Sequence, residues 1–132
     1  MTFSATLPVE SGVHIDLTFE AEAAMATRYI AVKLGTNDNQ VNIAGDGETA
    51  IGVLQNVAAA AGDSVRVRIF GLSRVKASTT ISKGDKINSA AATGLIAIAG
   101  TTEIALGTAL EAAGAANDEI TAFICGAGIY MV

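Results

Sequence analysis

The chain is poor in the residues from which most active sites are built. Its 132 residues include one histidine, His14, one cysteine, Cys125, and no tryptophan. Nucleophilic and metal-assisted catalysis normally need an imidazole or thiol supported by a base, a carboxylate or further ligands. A single cysteine cannot form a disulfide within the chain, which excludes a disulfide framework. These shortages predict a protein that is not an enzyme and holds no cofactor or metal.

Basic residues and long apolar runs are also scarce. Eight Lys and Arg stand against 13 Asp and Glu, which gives a net charge of −5. A nucleic-acid-binding domain normally shows a basic balance. No apolar run approaches the roughly 18 residues of a membrane span, and residues 1–8 lack the basic and apolar regions of a signal peptide. We expect a protein that is made in a cytoplasm and has neither nucleic acid nor membrane as a partner.

The abundant residues are small ones. The chain has 26 Ala and 14 Gly, and hydrophobic residues make up 51% of it. Small side chains allow closely packed sheets, but they bury less apolar area per residue than Leu or Phe. A core built from them favours an oligomer in which contacts between subunits supply part of the stability.

Self-similarity at one fixed spacing is the most informative pattern in the chain. Residues 22–76 align without a gap on residues 77–131, with twelve identities in the 31 positions from 41 to 71. We call the offset that carries position 22 onto position 77 the repeat spacing. The shared residues are Gly, Ala and Ile, with only Glu and Asp polar, which is typical of turns and core. Two copies are too few for a solenoid, so the repeat predicts one pseudo-symmetric domain.

Within the repeats, short apolar segments alternate with glycine-rich turns. Segments 20–27 and 56–61 have some helical propensity, but they are too short to form stable helices by themselves, so we interpret 20–27 as a helical turn or loop. Many short strands with glycine-rich turns are typical of an all-β sandwich or barrel. The predicted strands are 13–19, 29–34, 41–44, 50–55, 65–70, 86–88, 95–99, 104–110 and 120–125.

These segments predict a single β domain over residues 13–132. It is a small β-barrel or sandwich built from two pseudo-symmetric repeats, which are residues 22–76 and residues 77–131. Residues 1–12 lie outside the repeat, contain the one proline, and are predicted to form an extended N-terminal arm.

The last strand of the first repeat carries a basic stripe. Alternate positions along it place half of the eight cations on one face. This arrangement is explained either by pairing with an acidic protein surface or by solvation of a sheet face. The residues of the basic stripe are Arg66, Arg68, Arg74 and Lys76.

The same face of the second repeat is apolar. A strand that is apolar on both faces is normally buried on both, so we expect either segment 13–19 or a neighbouring subunit to cover it. A bulge at Gly71 or Gly126 would change which side chains share the face. The residues of this predicted subunit interface or covered face are Phe123, Cys125, Ile129 and Met131.

The remaining polar candidates have simpler structural explanations. Asp63 and Asp118 each precede a strand, where an aspartate stabilises a turn by bonding nearby backbone amides. Glu48 and Glu103 form a duplicated pair, but no set of oxygen ligands at calcium-loop spacing accompanies them. His14 alternates with Asp16 and Glu20 on the polar face of the first strand. Cys125 replaces Phe70 and is predicted to be a packing residue.

A series of short motifs resembles the capsid cement, or head decoration, proteins of tailed bacteriophages. It covers roughly residues 20–126. The motifs are Ile51-Gly52-Val53, Ala61-Gly62-Asp63, Val65-Arg-Val-Arg68, Gly71, Lys83-Gly84-Asp85-Lys86-Ile87 and Leu106-Gly107-Thr108-Ala109-Leu110-Glu111-Ala112-Ala113.

The resemblance implies a structural virion protein on the outside of an icosahedral capsid. Its partners would be the major capsid protein, which it clamps, and further copies of itself, often in a trimer. Phe3, Leu7 and Pro8 are the candidates for an arm contact with the capsid, by strand addition to an exposed sheet edge. The alternative is a β-barrel module that binds carbohydrate or a host surface, which the small number of aromatic residues disfavours.

Overall fold

The structure, a computed structural model, describes residues 14–90, 92–100 and 103–130, with the backbone alone for 126–130. The described residues contain no helix, so the all-β prediction is confirmed. Segment 20–27 consists of the end of the first strand and a loop, segment 56–61 is a loop, and an isolated bridge between Met25 and Ala58 joins the two. The strands are β1 (His14–Ala21), β2 (Ala31–Leu34), β3 (Gln40–Ile43), β4 (Gly52–Leu54), β5 (Ser64–Lys76), β6 (Lys86–Ser89), β7 (Ile96–Ile98), β8 (Ile104–Ala109) and β9 (Glu119–Tyr130).

These strands form one sheet in the order β1-β3-β2-β4-β5-β9-β8-β6-β7. A further pairing joins β1 to β5, so that β1, β3, β2, β4 and β5 form a closed ring of pairings. Within the ring only β1 and β3 run parallel. In the rest of the sheet, an isolated parallel bridge joins Ala77, directly after β5, to Ile96 in β7.

Strand β5 belongs to both parts of the sheet. Its first half, Ser64 to Gly71, pairs with β1, and its second half, Gly71 to Lys76, pairs with β9. The register with β1 shifts between Ile15 and Asp16, whose partners are Phe70 and Arg68, so Ile69 is the extra residue of a bulge. Such a bulge changes the direction in which the following side chains point. It lies two residues before Gly71, close to the predicted position.

The apolar core consists of two clusters. One lies within the ring, and the other is formed mainly by β6 to β9 with the end of β5. Burial of each Val, Leu or Ile in them stabilises the fold by about 1.5–3 kcal/mol. Several members are separated by the repeat spacing: Val32, Val41, Leu54, Ala58, Val65 and Val67 in the ring, and Ile87, Ile96, Ala109, Ala113, Ile120 and Ala122 in the other cluster.

Residues with left-handed backbone conformation show the same spacing. Glycine adopts a positive φ without strain, asparagine tolerates it, and a bulky side chain does so rarely. Asn117 therefore replaces Gly62 at a turn without changing the path of the chain. The pairs are Tyr29 (φ 67°) and Gly84 (φ 92°), Asn39 (φ 64°) and Gly94 (φ 78°), and Gly62 (φ 90°) and Asn117 (φ 70°).

Candidate functional site

An exposed apolar surface lies where β1, β5 and β9 meet. Ile15 lies opposite Phe70 in the β1–β5 register, and Leu72 lies opposite Phe123 in the β5–β9 register. The rings of Phe70 and Phe123 meet edge to face, with centroids 5.3 Å apart. Ile15, Leu17, Phe70 and Phe123 are 49%, 43%, 41% and 37% exposed. We call Ile15, Leu17, Phe70, Leu72 and Phe123 the apolar surface.

The predicted apolar face of the second repeat is only partly exposed. Phe123 belongs to the apolar surface, whereas Cys125 is half-buried with its Sγ 3.8 Å from the Leu106 carbonyl oxygen. Burial raises the pKa of the Cys125 thiol despite the charge of Lys86. Ile129 lies in β9, opposite Ala105, and Met131 is outside the described residues.

Strand β1 does not lie over Phe123. It pairs with the opposite edge of β5 and brings Ile15 beside Phe70 instead. Within the described residues, β1 therefore extends the apolar surface and leaves Phe123 accessible.

The basic stripe is divided by its environment. Arg68 is 6% exposed and makes two bonds to Asp16, Nε to Oδ1 at 2.8 Å and Nη2 to Oδ2 at 3.2 Å. Its Nη1 donates to the Leu72 carbonyl oxygen at 3.0 Å, and the Nε of exposed Arg66 lies 3.1 Å from the same Asp16 carboxylate. Arg74 and Lys76, farther along β5, have no carboxylate within ion-pair distance among the described residues. Asp16 thus neutralises the first half of the stripe and not the second.

The environment of Asp16 stabilises its charged form. Burial, the largest single effect, acts to raise its pKa. The hydrogen bond and charge of Arg68, together with the charges of His14 and Arg66, outweigh that effect, and the pKa lies below its usual value. His14 lies 3.7 Å from this carboxylate, so the lone histidine belongs to the same charge cluster.

The duplicated aspartates stabilise turns. The Asp63 carboxylate accepts hydrogen bonds from the amides of Ala59 and Ala60, at 2.9 and 3.1 Å. Asp118 does the same with Gly114 and Ala115, at the same two distances. Both carboxylates are occupied by backbone donors, as the sequence indicated.

The duplicated glutamates have different partners. Each accepts the amide of the glycine three residues earlier, Gly45 for Glu48 and Gly100 for Glu103. Glu48 also binds Lys33 at 2.8 Å, whereas Glu103 accepts the Asn88 side-chain amide at 3.1 Å. The described residues hold no group of three or more His, Cys, Asp or Glu side chains that could bind a metal ion.

Two features of this region were not predicted from the sequence. Asp16, expected only to lie on the polar face of the first strand, holds a buried arginine 52 residues away. Leu17, at an alternate apolar position of the same strand, is 43% exposed. Only the alternation of Asp16 with apolar neighbours was visible in the sequence, and alternation does not identify a partner strand.

The predicted arm residues Phe3, Leu7 and Pro8 lie outside the described residues. In the described ranges, no helix has the length and hydrophobicity to cross a membrane. Among the described residues, the candidate contact surfaces of this region are the apolar surface and the charged residues beside it.

Comparison with known proteins adds independent information. No curated protein matches the chain. The crystal structure of the head fiber gp8.5 N base in bacteriophage phi29 matches with a TM-score of 0.63 and 21% sequence identity, covering 85% of this chain and 94% of that one. At this identity the likeness shows a shared fold. The phage cement protein family model matches residues 9–124. The chain therefore belongs to the phage cement protein family and is a structural protein of the phage virion.

Proposed function

We propose that the protein binds the outside of an icosahedral phage capsid and stabilises it by clamping neighbouring major capsid subunits. Membership of the cement family supports this proposal. Many copies, each with a modest interface, give strong total attachment because binding at one site raises the effective concentration at the next. The protein acts as a homo-oligomer, in our proposal a trimer, and its role is mechanical and not catalytic.

The apolar surface is the observation that carries the proposed homo-oligomer. Contiguous exposed apolar side chains on soluble proteins commonly mark interaction sites. Here two aromatic rings and three aliphatic side chains are gathered by strand register at one junction. We propose that Phe123 and its neighbours form the contact between subunits, with the predicted face members Cys125, Ile129 and Met131 at or beside it.

The paired features of the two halves support a duplicated unit. Core positions and left-handed residues recur at the repeat spacing. The parallel pair Ala21–Val41 has a counterpart in the bridge Ala77–Ile96, in which Ile96 lies at the repeat spacing and Ala77 one position beyond it. We propose that each half repeats one β unit. In this proposal the second half of β5 occupies the same place in the second unit that β1 occupies in the first.

In this scheme the N-terminal arm, residues 1–12, supplies a further capsid contact. An extended segment binds readily to an exposed sheet edge through backbone hydrogen bonds. Phe3, Leu7 and Pro8 remain our candidates for the side chains that make this contact.

The subunit contact is tested by Phe123→Asp. A carboxylate at the centre of an apolar interface loses its hydration without gaining a partner, so we expect the oligomer to dissociate to monomers. Leu34→Asp is the matched control, because Leu34 is 62% exposed and belongs to β2, outside the apolar surface. Light scattering measures the mass of each variant. An unchanged oligomer in Phe123→Asp, with the fold intact by circular dichroism, would exclude this surface as the subunit contact.

A further inference from the structure

A groove with two unpaired cations lies between the ring and the start of β9. Its volume is about 500 Å³, and its walls include Arg28, Asn56, Val57, Lys76 and Glu119. Arg28 and Val57 are exposed, whereas Lys76 and Asn56 are half-buried. The groove therefore combines positive charge, an amide and an apolar wall in one concave site.

The two cations of the groove have no acidic partner of their own. Neither Arg28 nor Lys76 has a carboxylate within 4.0 Å in the described part of the chain. Glu119 lies opposite Lys76 in the β5–β9 register, yet the two do not form an ion pair. Two cations without an ion-pair partner among the described residues therefore line one groove.

Tyr29 holds the groove in shape. Its amide donates to the Leu54 carbonyl oxygen at 2.8 Å, and its own carbonyl oxygen accepts the Lys76 amide at 2.9 Å. The guanidinium carbon of Arg28 lies 4.8 Å from the centre of the Tyr29 ring, a cation–π contact. Tyr29 thus fixes the backbone of Lys76 and the side chain of Arg28 together, and a preorganised site loses less entropy on binding.

Tyr29 also has an unfavourable backbone conformation. Its φ of 67° is rare for a bulky residue, and Gly84, one repeat spacing later, has the same left-handed conformation. A Cβ at Gly84 would meet no atom within 4 Å, so in the second half no side chain fills the space at this position. Of these two aligned positions, only the one beside the groove carries an aromatic ring, that of Tyr29.

The second half also differs at the position of Asn56. Asn56 Oδ1 accepts the Arg66 amide at 2.7 Å, and at the aligned position of the second half Glu111 Oε1 accepts the Thr121 amide at 2.8 Å. The two side chains make the same backbone contact, but Glu111 brings a negative charge and Asn56 does not. The first half therefore keeps a second carboxylate out of the groove, whose walls carry two cations and one carboxylate, Glu119.

We propose that this groove binds the carboxylates of an acidic segment of the major capsid protein. An aspartate or glutamate side chain would bind between Arg28 and Lys76, with a neighbouring apolar residue on Val57. Charge complementarity is the basis of this assignment, since hydrogen bonds between ionised groups are about twice as strong as neutral ones. The inference rests on the proposed capsid-binding function and specifies one contact within it.

Two variants test the groove in complementary ways. Arg28→Gln with Lys76→Gln removes both cations, whereas Asn56→Glu adds the charge that Glu111 carries in the second half and can retain the bond to the Arg66 amide. Lys83→Gln is the matched control, because Lys83 is an exposed cation at the position of the second half that aligns with Arg28. Each is titrated onto phage shells assembled without this protein, and bound copies are counted after sedimentation.

We expect the double variant and Asn56→Glu to bind shells at least about tenfold more weakly than the unmodified protein, a loss in the range of one charged hydrogen bond. Lys83→Gln is expected to bind as the unmodified protein does. Equal binding by all variants would overturn the groove proposal while leaving capsid binding intact.

A second titration separates the groove from the capsid function. Hexaglutamate is added to the free protein, and binding is measured from amide chemical shifts. Saturable shifts at Arg28, Asn56 and Lys76 that disappear in the double variant support the groove, and identical responses of the two proteins overturn it. If the unmodified protein binds no shells, the proposed capsid function fails, and this titration still decides the groove chemistry.

Discussion

Asp16 connects the charged residues of β1 with those of the first half of β5. Its carboxylate holds the buried Arg68 through two bonds and also contacts Arg66. Removing one partner of a buried ion pair leaves the other charge desolvated, which costs more than the pair itself contributes. Asp16 therefore stabilises the pairing of β1 with β5 chiefly by satisfying Arg68.

We predict that Asp16→Asn lowers the free energy of unfolding by about 2–3 kcal/mol, because the nearly isosteric amide leaves the Arg68 charge without a counter-ion. Urea denaturation measures the change. Lys33→Met, which breaks the exposed pair with Glu48, is the control and should change stability by less than about 1 kcal/mol. A loss for Asp16→Asn no larger than that of the control would contradict the account of Arg68.

The pH dependence of stability provides a second test of the contact between Asp16 and Arg68. Since the folded state depresses the pKa of Asp16, its contribution is complete above the unfolded value of about 3.9 and is lost as pH falls through the folded value. When the pH is lowered from neutral to about 3, the free energy of unfolding of Asp16→Asn should therefore fall by less than that of the unmodified protein. Parallel pH profiles for the two proteins would rule out this linkage.

At the scale of the strands, two glycines allow close approach of neighbouring backbones. A Cβ at Gly107 in β8 would clash with the Phe123 carbonyl oxygen, and one at Gly52 in β4 with the Arg68 carbonyl oxygen. The two glycines are separated by the repeat spacing, and both lie where a short strand pairs beside a long one. They explain why glycine recurs at this position of both repeats.

We predict that Gly107→Ala destabilises the protein by about 2–3 kcal/mol, because the added methyl group forces β8 away from β9. Gly114→Ala is the matched control: its Cβ would meet only Asp118 Oδ2, at 3.7 Å, so stability should change by no more than about 0.5 kcal/mol. Thermal unfolding of both variants checks the prediction. Equal stability of the two would show that the close approach at Gly107 is not needed.

The sequence was sufficient to locate the strands but not their partners. Alternation and glycine-rich turns placed segments at all nine strands of the described residues, although β5 and β9 run longer than predicted. Periodicity reports which residues share a face, and it carries no information about which strand lies alongside. The pairing of β1 with β5, and with it the partner of Arg68, therefore could not be read from the sequence.

The candidate surfaces depended even more on that pairing. Phe123 was identified from its apolar face, but Ile15 and Phe70 join it only because of register and the bulge at Ile69. Likewise, Arg28 and Lys76 are far apart in the sequence, and the backbone of Tyr29 links them. Nothing in the local pattern of either residue predicts a shared groove.

At the scale of the whole molecule, the two halves combine similar cores with different surfaces. Their buried apolar positions recur at one spacing, whereas positions of β5 that are exposed differ in β9, with Arg66 and Phe70 replaced by Thr121 and Cys125. In a duplicated unit, core positions are constrained by packing while exposed ones are free to change. This arrangement suits the proposed function, in which one surface contacts copies of the chain and another contacts the capsid.

The thermal stability of the capsid tests the central proposal most directly. Phage shells assembled without this protein are heated in a calorimeter alone and after saturation with it. Because a ligand that binds the intact shell and not its dissociated subunits stabilises the shell, we predict that the shell transition moves to higher temperature as the protein is added, up to saturation. A transition that stays at the same temperature at full saturation would contradict the proposal that this protein reinforces the capsid.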